Sequence, residues 1–171
     1  RNFLHKKSYI DMDYVYGELS NDGGENPLDY EALAANPALF IAVATNAETG
    51  QVKYFDKSDM SRNHYDILKA SCSIPFVCHP YPIGGIPYYD GALSDPVPIE
   101  KAFSTGCEKV VLILTKPRDF RRTPDKDRRM AAGIRKKYPF AAAQLERVDP
   151  ADLLRVRRGV FGCEALVTDR G

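Results

Sequence analysis

The sequence lacks any apolar run approaching the roughly 20 residues needed to span a bilayer. Its first residues, Arg1 to Lys7, contain no h-region and no initiating methionine, so they do not read as a signal peptide. A leader further upstream stays an open alternative. No G-x-G-x-x-G or Walker pattern occurs, so no familiar nucleotide loop is present. Gly84-Gly85 reads instead as a hairpin turn. There is no internal repeat and no low-complexity segment. Cysteine is sparse: Cys72, Cys78, Cys107 and Cys163, with no C-x-x-C pair. These read as reduced, mostly buried thiols in a reducing compartment, cytoplasmic or peripheral to a membrane. A Cys72–Cys78 disulfide is the alternative. The histidines are His5, His64 and His79. His79 adjoins Cys78, but no third or fourth ligand accompanies them, so no metal and no cofactor is expected.

What is present suits one soluble domain. The 171 residues can bury a core, and 44% apolar with 27% charged residues is ordinary for a globular chain. The net charge of +1 hides an asymmetry. Residues 1–115 hold 9 Lys+Arg against 15 Asp+Glu, a net of −6; residues 116–171 hold 15 against 8, a net of +7.

Taken in order, residues 1–25 mix helical spacing with a turn at Asn21 to Gly24. Asn26-Pro27 opens a short helix, with Asn26 as cap, and Asn36-Pro37 ends it. Leu39 to Thr45 is a nearly unbroken apolar run, which predicts a strand buried on both faces. Gln51 to Phe55 alternates as an edge strand does, so the two make a hairpin across Glu48-Thr49-Gly50. A helix is expected over Asp59 to Ser71, with Tyr65, Ile67 and Leu68 buried. Ile86 to Tyr89 is a strand, Pro96 to Thr105 a helix stopped by Gly106, and Lys109 to Thr115 a β-branched strand. Strand, helix and strand from Ile86 to Thr115 therefore predict a right-handed βαβ unit in a parallel sheet. Asp125 to Val148 reads as a helix broken at Tyr138-Pro139. Ala151 to Arg158 adds a turn or two.

Asp90 sits at the end of the Ile86–Tyr89 strand, with Gly91 next. Ser94-Asp95-Pro96 reads as a helix start, with Asp95 as N-cap. A carboxylate at the carboxyl end of a strand, on a tight turn into a helix, is where open α/β sheets bind ligands. The plain alternative is a turn residue whose side chain bonds its own backbone. Gly91 allows a close backbone approach or a positive φ.

Three segments together resemble the patatin-like phospholipase family. Ala70-Ser71-Cys72-Ser73-Ile74-Pro75-Phe76 is similar to its AS-x-x-IP-F segment. Asp90-Gly91-Ala92, followed by Ser94-Asp95-Pro96, is similar to its DG-G/A segment and downstream D/N-x-P run. Val43 to Gly50 resembles the preceding strand and turn. The resemblance is best over about residues 26–121, leaving 122–171 as a basic helical tail. It implies an α/β fold, a mainly parallel sheet flanked by helices in a three-layer sandwich. It also implies a lipid acyl hydrolase with a Ser–Asp dyad, in which Asp90 takes the serine proton directly. Gly91 and Ala92 would shape its turn, and Ile74, Pro75 and Phe76 would line the acyl side.

The G-x-S-x-G elbow that carries the nucleophile is absent, as is the glycine-rich oxyanion segment. In the family both lie N-terminal to the matched region. The resemblance thus implies the C-terminal part of a catalytic domain, an incomplete sandwich carrying the base without the nucleophile and inactive alone. Ser71 and Ser73 read as caps of the preceding helix, and Ser94 follows Asp90 too closely to face it. A Cys78–His79 nucleophile is poor, because neighbours on a strand point to opposite faces. A non-catalytic binding or assembly module derived from the family is the competing reading. The expected partner is a lipid or ester substrate. Exposed strand surface predicts homo-oligomers of the chain. The basic stretch 116–137 suits either an anionic membrane surface or a solvated helix face. No nucleic acid is expected, since aromatic residues do not interleave with the basic ones.

Overall fold

The computed structural model describes residues 8–113 and 124–147. The expected features at His5, Leu114 to Thr123, Ala151 to Arg158 and Cys163 lie outside them.

Four strands form one sheet: β1 (Ile41–Asn46), β2 (Val52–Asp56), β3 (Tyr81–Ile83) and β4 (Ile86–Asp90). Their order is β2-β1-β4-β3, and every pairing is antiparallel. Short connections dictate two of these pairings, β1 with β2 and β3 with β4. Asn46 Oδ1 accepts the N–H groups of Glu48 and Thr49, folding the β1–β2 link into a tight turn. Gly84 (φ 58°) and Gly85 (φ 81°) make the β3–β4 turn with two successive left-handed residues, the hairpin geometry glycine favours. Two-residue links cannot join parallel strands, which need a crossover of a dozen residues or more.

The expected parallel sheet is therefore corrected, and with it the βαβ unit. Both edges of β4 are already taken, by β1 and β3. Residues 109–113 form no strand, and Val111 (87%) and Ile113 (92%) stand exposed. The β-branched pattern of that run was real, but β4 has no edge left to offer it.

Helices lie against both sheet faces. Tyr88 and Tyr89 are neighbours on β4 and so point opposite ways. Tyr88 meets Phe55 edge to face at 5.1 Å, in a cluster with Ala42, Ala44, Met60, Tyr65, Ile67 and Ala70. Helix α3 (Asp66–Ser71) supplies the last two. Tyr89 meets Tyr138 edge to face at 5.7 Å, in a second cluster with Ala47, Leu93, Ala131, Ile134 and Leu145. Ala131 and Ile134 come from α5 (Pro124–Ile134) and Leu145 from α6 (Pro139–Arg147), the two helices being separated by the turn that ends at Tyr138-Pro139. Each large apolar side chain so buried contributes about 1.5–3 kcal/mol.

The remaining helices are short. They are α1 (Met12–Tyr14), running into a π turn at Val15–Leu19, α2 (Tyr30–Ala35) and α4 (Ile99–Ser104). Starts were harder to place than stops. Helix α2 is capped by Asp29, whose carboxylate accepts Ala32 N–H at 2.9 Å, and not by Asn26. The helix expected from Asp59 begins at Asp66, and that expected from Pro96 begins at Ile99. Asp95 caps nothing, because its carboxylate is engaged elsewhere. Lys69 fastens α3 to its surroundings: its ammonium lies 3.1 Å from Asp66, 3.3 Å from Asp13 and 3.2 Å from the Tyr81 hydroxyl. Burial works against its charge, but these partners outweigh it and hold its pKa above the usual lysine value.

After β4 the chain makes a 3-10 turn, Gly91–Leu93, directly over β1. A Cβ at Gly91 would lie 2.5 Å from the Val43 carbonyl oxygen and 2.7 Å from Val43 Cβ. Gly91→Ala must push the turn off β1, an overpacking cost of about 1–3 kcal/mol. Urea denaturation should show a lowered midpoint at unchanged m; an unchanged midpoint would refute the close approach.

Candidate active site

Asp90 is held from three directions. Its N–H donates to the Ser73 carbonyl at 2.9 Å. Its carbonyl accepts from Thr45 Oγ1 at 2.9 Å, and that hydroxyl also lies 2.8 Å from Ser94 Oγ. Its Oδ1 accepts the Ala92 N–H at 2.8 Å, capping the 3-10 turn. The plain turn role foreseen for Asp90 is thus present. It occupies one carboxylate oxygen, and Oδ2 accepts no hydrogen bond from any described residue. Burial raises the Asp90 pKa above the usual carboxylate value, opposed by the Ala92 N–H. The group is half-buried.

The two motif segments, far apart in sequence, are joined by the Ser73–Asp90 backbone bond. Ser73 itself is buried, and its hydroxyl donates to the Lys69 carbonyl at 2.7 Å, closing the end of α3. Ser94 is engaged with Thr45, so no serine among the described residues hydrogen-bonds to the Asp90 carboxylate. Ile74 (39%) and Phe76 (68%) are exposed beside this point, while Pro75 is fully buried. Ala92 is exposed at the turn.

Asp95 anchors the run that follows. Its N–H donates to the Gly91 carbonyl at 2.9 Å, and its Oδ2 accepts the Tyr54 hydroxyl at 2.5 Å. The Lys101 ammonium stands 5.0 Å over the Tyr54 ring. Burial, reinforced by Asp95, pushes the Tyr54 phenol up to about 12. Sequence reasoning missed Tyr54 and Thr45 as supports. Their signal was only position, on strands that flank the turn.

Cys72, Cys78 and Cys107 are free thiols. Cys72 Sγ lies 3.4 Å from the Tyr16 hydroxyl. Cys78 is buried and His79 exposed, so they do not form a pair. A cavity of about 390 Å³ separates the segment 8–13 from β3. Ser73, Cys78 and Tyr81 line it, but Asp90 does not, so it is not the Asp90 site.

Residues 2–103 match the patatin-like phospholipase family. The chain belongs to that family. A curated relative, an uncharacterized protein YjjU of Escherichia coli (strain K12), is 36% identical over 132 residues, 75% of this chain. The chain spans only 36% of that relative's length. No solved structure gives a significant match.

The Tyr54–Asp95 bond is testable without substrate. Tyr54→Phe should cost about 1 kcal/mol in a thermal or urea melt. The folded phenol titrates above the unfolded one, so this contribution is intact below about pH 10. It is lost as pH rises toward about 12. A melt indifferent to the substitution would show that the bond contributes nothing.

Proposed function

We infer that Asp90 is the general base of a Ser–Asp dyad in a patatin-like lipid acyl hydrolase, with the serine supplied by sequence outside this chain. One observation carries the reading. A half-buried carboxylate with a raised pKa has no Oδ2 partner among the described residues, while its backbone and Oδ1 are fixed. A base needs that combination. The held oxygen sets the orientation, and the open one is available to accept a proton from a hydroxyl at hydrogen-bond distance. The proton passes from serine Oγ to Asp90 Oδ2 as the oxygen attacks the ester carbonyl, and returns to the leaving alkoxide. Partial desolvation brings the carboxylate nearer to matching its proton donor.

Gly91 lets the turn sit on β1, and Ala92 supplies the orienting N–H. Ile74, exposed one residue beyond Ser73, would meet an acyl chain on this reading. Pro75 belongs to the core and Phe76 turns onto α5. The family's three-layer sandwich belongs to the same reading. The competing reading, a binding or assembly module, draws on the unpaired and exposed Val111 and Ile113.

In the full-length protein, Asp90→Asn should lower hydrolysis of a chromogenic acyl ester about 10²–10⁴-fold. The same variant should melt no lower at neutral pH, because the raised pKa means that the charged form is disfavoured in the fold. The wild-type rate should fall with acid as the base protonates, its midpoint above the ordinary carboxylate range. Full activity in Asp90→Asn would return Asp90 to the role of a turn residue.

A further inference from the structure

We propose that the face of α5 around Phe76 is a docking surface for an anionic lipid bilayer. Phe76 adopts a positive φ of 72°, which L-residues with bulky side chains avoid, and it remains 68% exposed. An outlier of that kind calls for a use. The ring rests on α5 at Gly133, where a Cβ would come within 3.3 Å of Phe76 Cδ2. Residues three and four positions from Gly133 are its neighbours on the helical surface. Arg129 is one of these within α5, while Lys136 and Lys137 follow in the turn that leaves the helix after Ile134, and all three are exposed.

Arg135 is engaged by Glu146, and Lys137 lies 5.2 Å over the Tyr138 ring. Arg129 and Lys136 have no acidic partner among the described residues. Phe140, 61% exposed, follows this basic turn at the start of α6. Exposed aromatic rings beside unpaired cations on long stems match a bilayer interface. The rings enter the acyl boundary while the cations meet phosphate headgroups.

The position suits the proposed reaction. The helix pair packs on Tyr89 and Leu93, which flank Asp90 and Gly91. Ser73, three residues before Phe76, accepts the Asp90 N–H, so docking through Phe76 would hold the Asp90 turn close to the bilayer. Only that purpose rests on the hydrolase reading, since lipid binding is read separately from hydrolysis.

The experiment uses the full-length protein carrying Asp90→Asn, cosedimented with vesicles of phosphatidylcholine alone or mixed with phosphatidylglycerol. Binding is expected to the mixed vesicles only, and to weaken with salt. Lys136→Gln should weaken it about five-fold, and Arg129→Gln with Lys136→Gln about 25-fold. Phe76→Gly keeps the backbone conformation accessible and should also weaken binding while the melt is retained. With Asp90 intact, the Arg129/Lys136 double variant should hydrolyse a soluble short-chain ester at the unmodified rate. Equal binding to phosphatidylcholine vesicles, or none to the mixed ones, overturns the proposal. So does mixed-vesicle binding indifferent to these substitutions. Retention on heparin without vesicle binding overturns the lipid assignment and leaves a generic basic surface. A chain that binds vesicles but proves inactive would count against the dyad and not against the docking face.

Discussion

The close approach of Gly91 to Val43 is the constraint on which the rest depends. With no Cβ between them, the turn after β4 lies against β1 at van der Waals distance. Only then can Thr45, on β1, reach the Asp90 carbonyl, and only then does Ser94 come within 2.8 Å of Thr45. The same seating presents the Asp90 N–H to Ser73 at the end of α3. Backbone bonds of this kind leave the side chain little choice. Its Oδ1 is set by Ala92, and Oδ2 projects from a frame built of main chain. A frame of main chain is stiffer than one of side chains, which is what a proton acceptor requires.

Burial at this point has a cost. Desolvating a carboxylate disfavours its charge, and one hydrogen bond offsets that only partly. The two aromatic-centred clusters carry that cost. Tyr88 and Tyr89 extend β4 into both faces, so the strand bearing Asp90 is pinned from above and below. Strain at Phe76 is met in the same manner, by its contact with α5 and by Pro75 sunk in the core.

Much of this was legible in the sequence. The β1–β2 hairpin, the Gly84-Gly85 turn, the helix break at Tyr138-Pro139 and the strand ending at Asp90 each have a local cause. Turn residues, proline and alternation act within a few positions, so a sequence states them openly. Helix starts were less legible. Asn26-Pro27 and Asp95-Pro96 have the right residues in the right order, yet Asp29 and a side-chain bond to Tyr54 prevailed. A polar side chain goes to the stronger acceptor or donor within reach, and reach is a tertiary quantity. The parallel sheet failed for a related reason. Residues 109–113 have strand character, but the expected βαβ unit needs an edge of β4, and β1 and β3 already hold both. Edge occupancy belongs to the whole sheet, and no local pattern encodes it. Asp90 was singled out from motif and position together, whereas Tyr54 and Thr45 carry no mark of their own.

The two halves of the charge distribution become intelligible on the structure. The acidic part holds the sheet and the Asp90 turn, while the described cations of the basic part lie on the helix pair against Tyr89 and Leu93. Had those cations stood within contact of Asp90, they would have depressed its pKa and weakened it as a base. Instead, burial is the largest influence on Asp90, and no cation contributes to its shift. Apolar packing therefore separates two electrostatic tasks that would otherwise interfere. The carboxylate stays poised by desolvation, and the positive surface stays outside, with Arg129 and Lys136 unpaired among the described residues. On the proposed reading, a patatin-like chain acting on an insoluble substrate would need both at once, close in space but electrically apart.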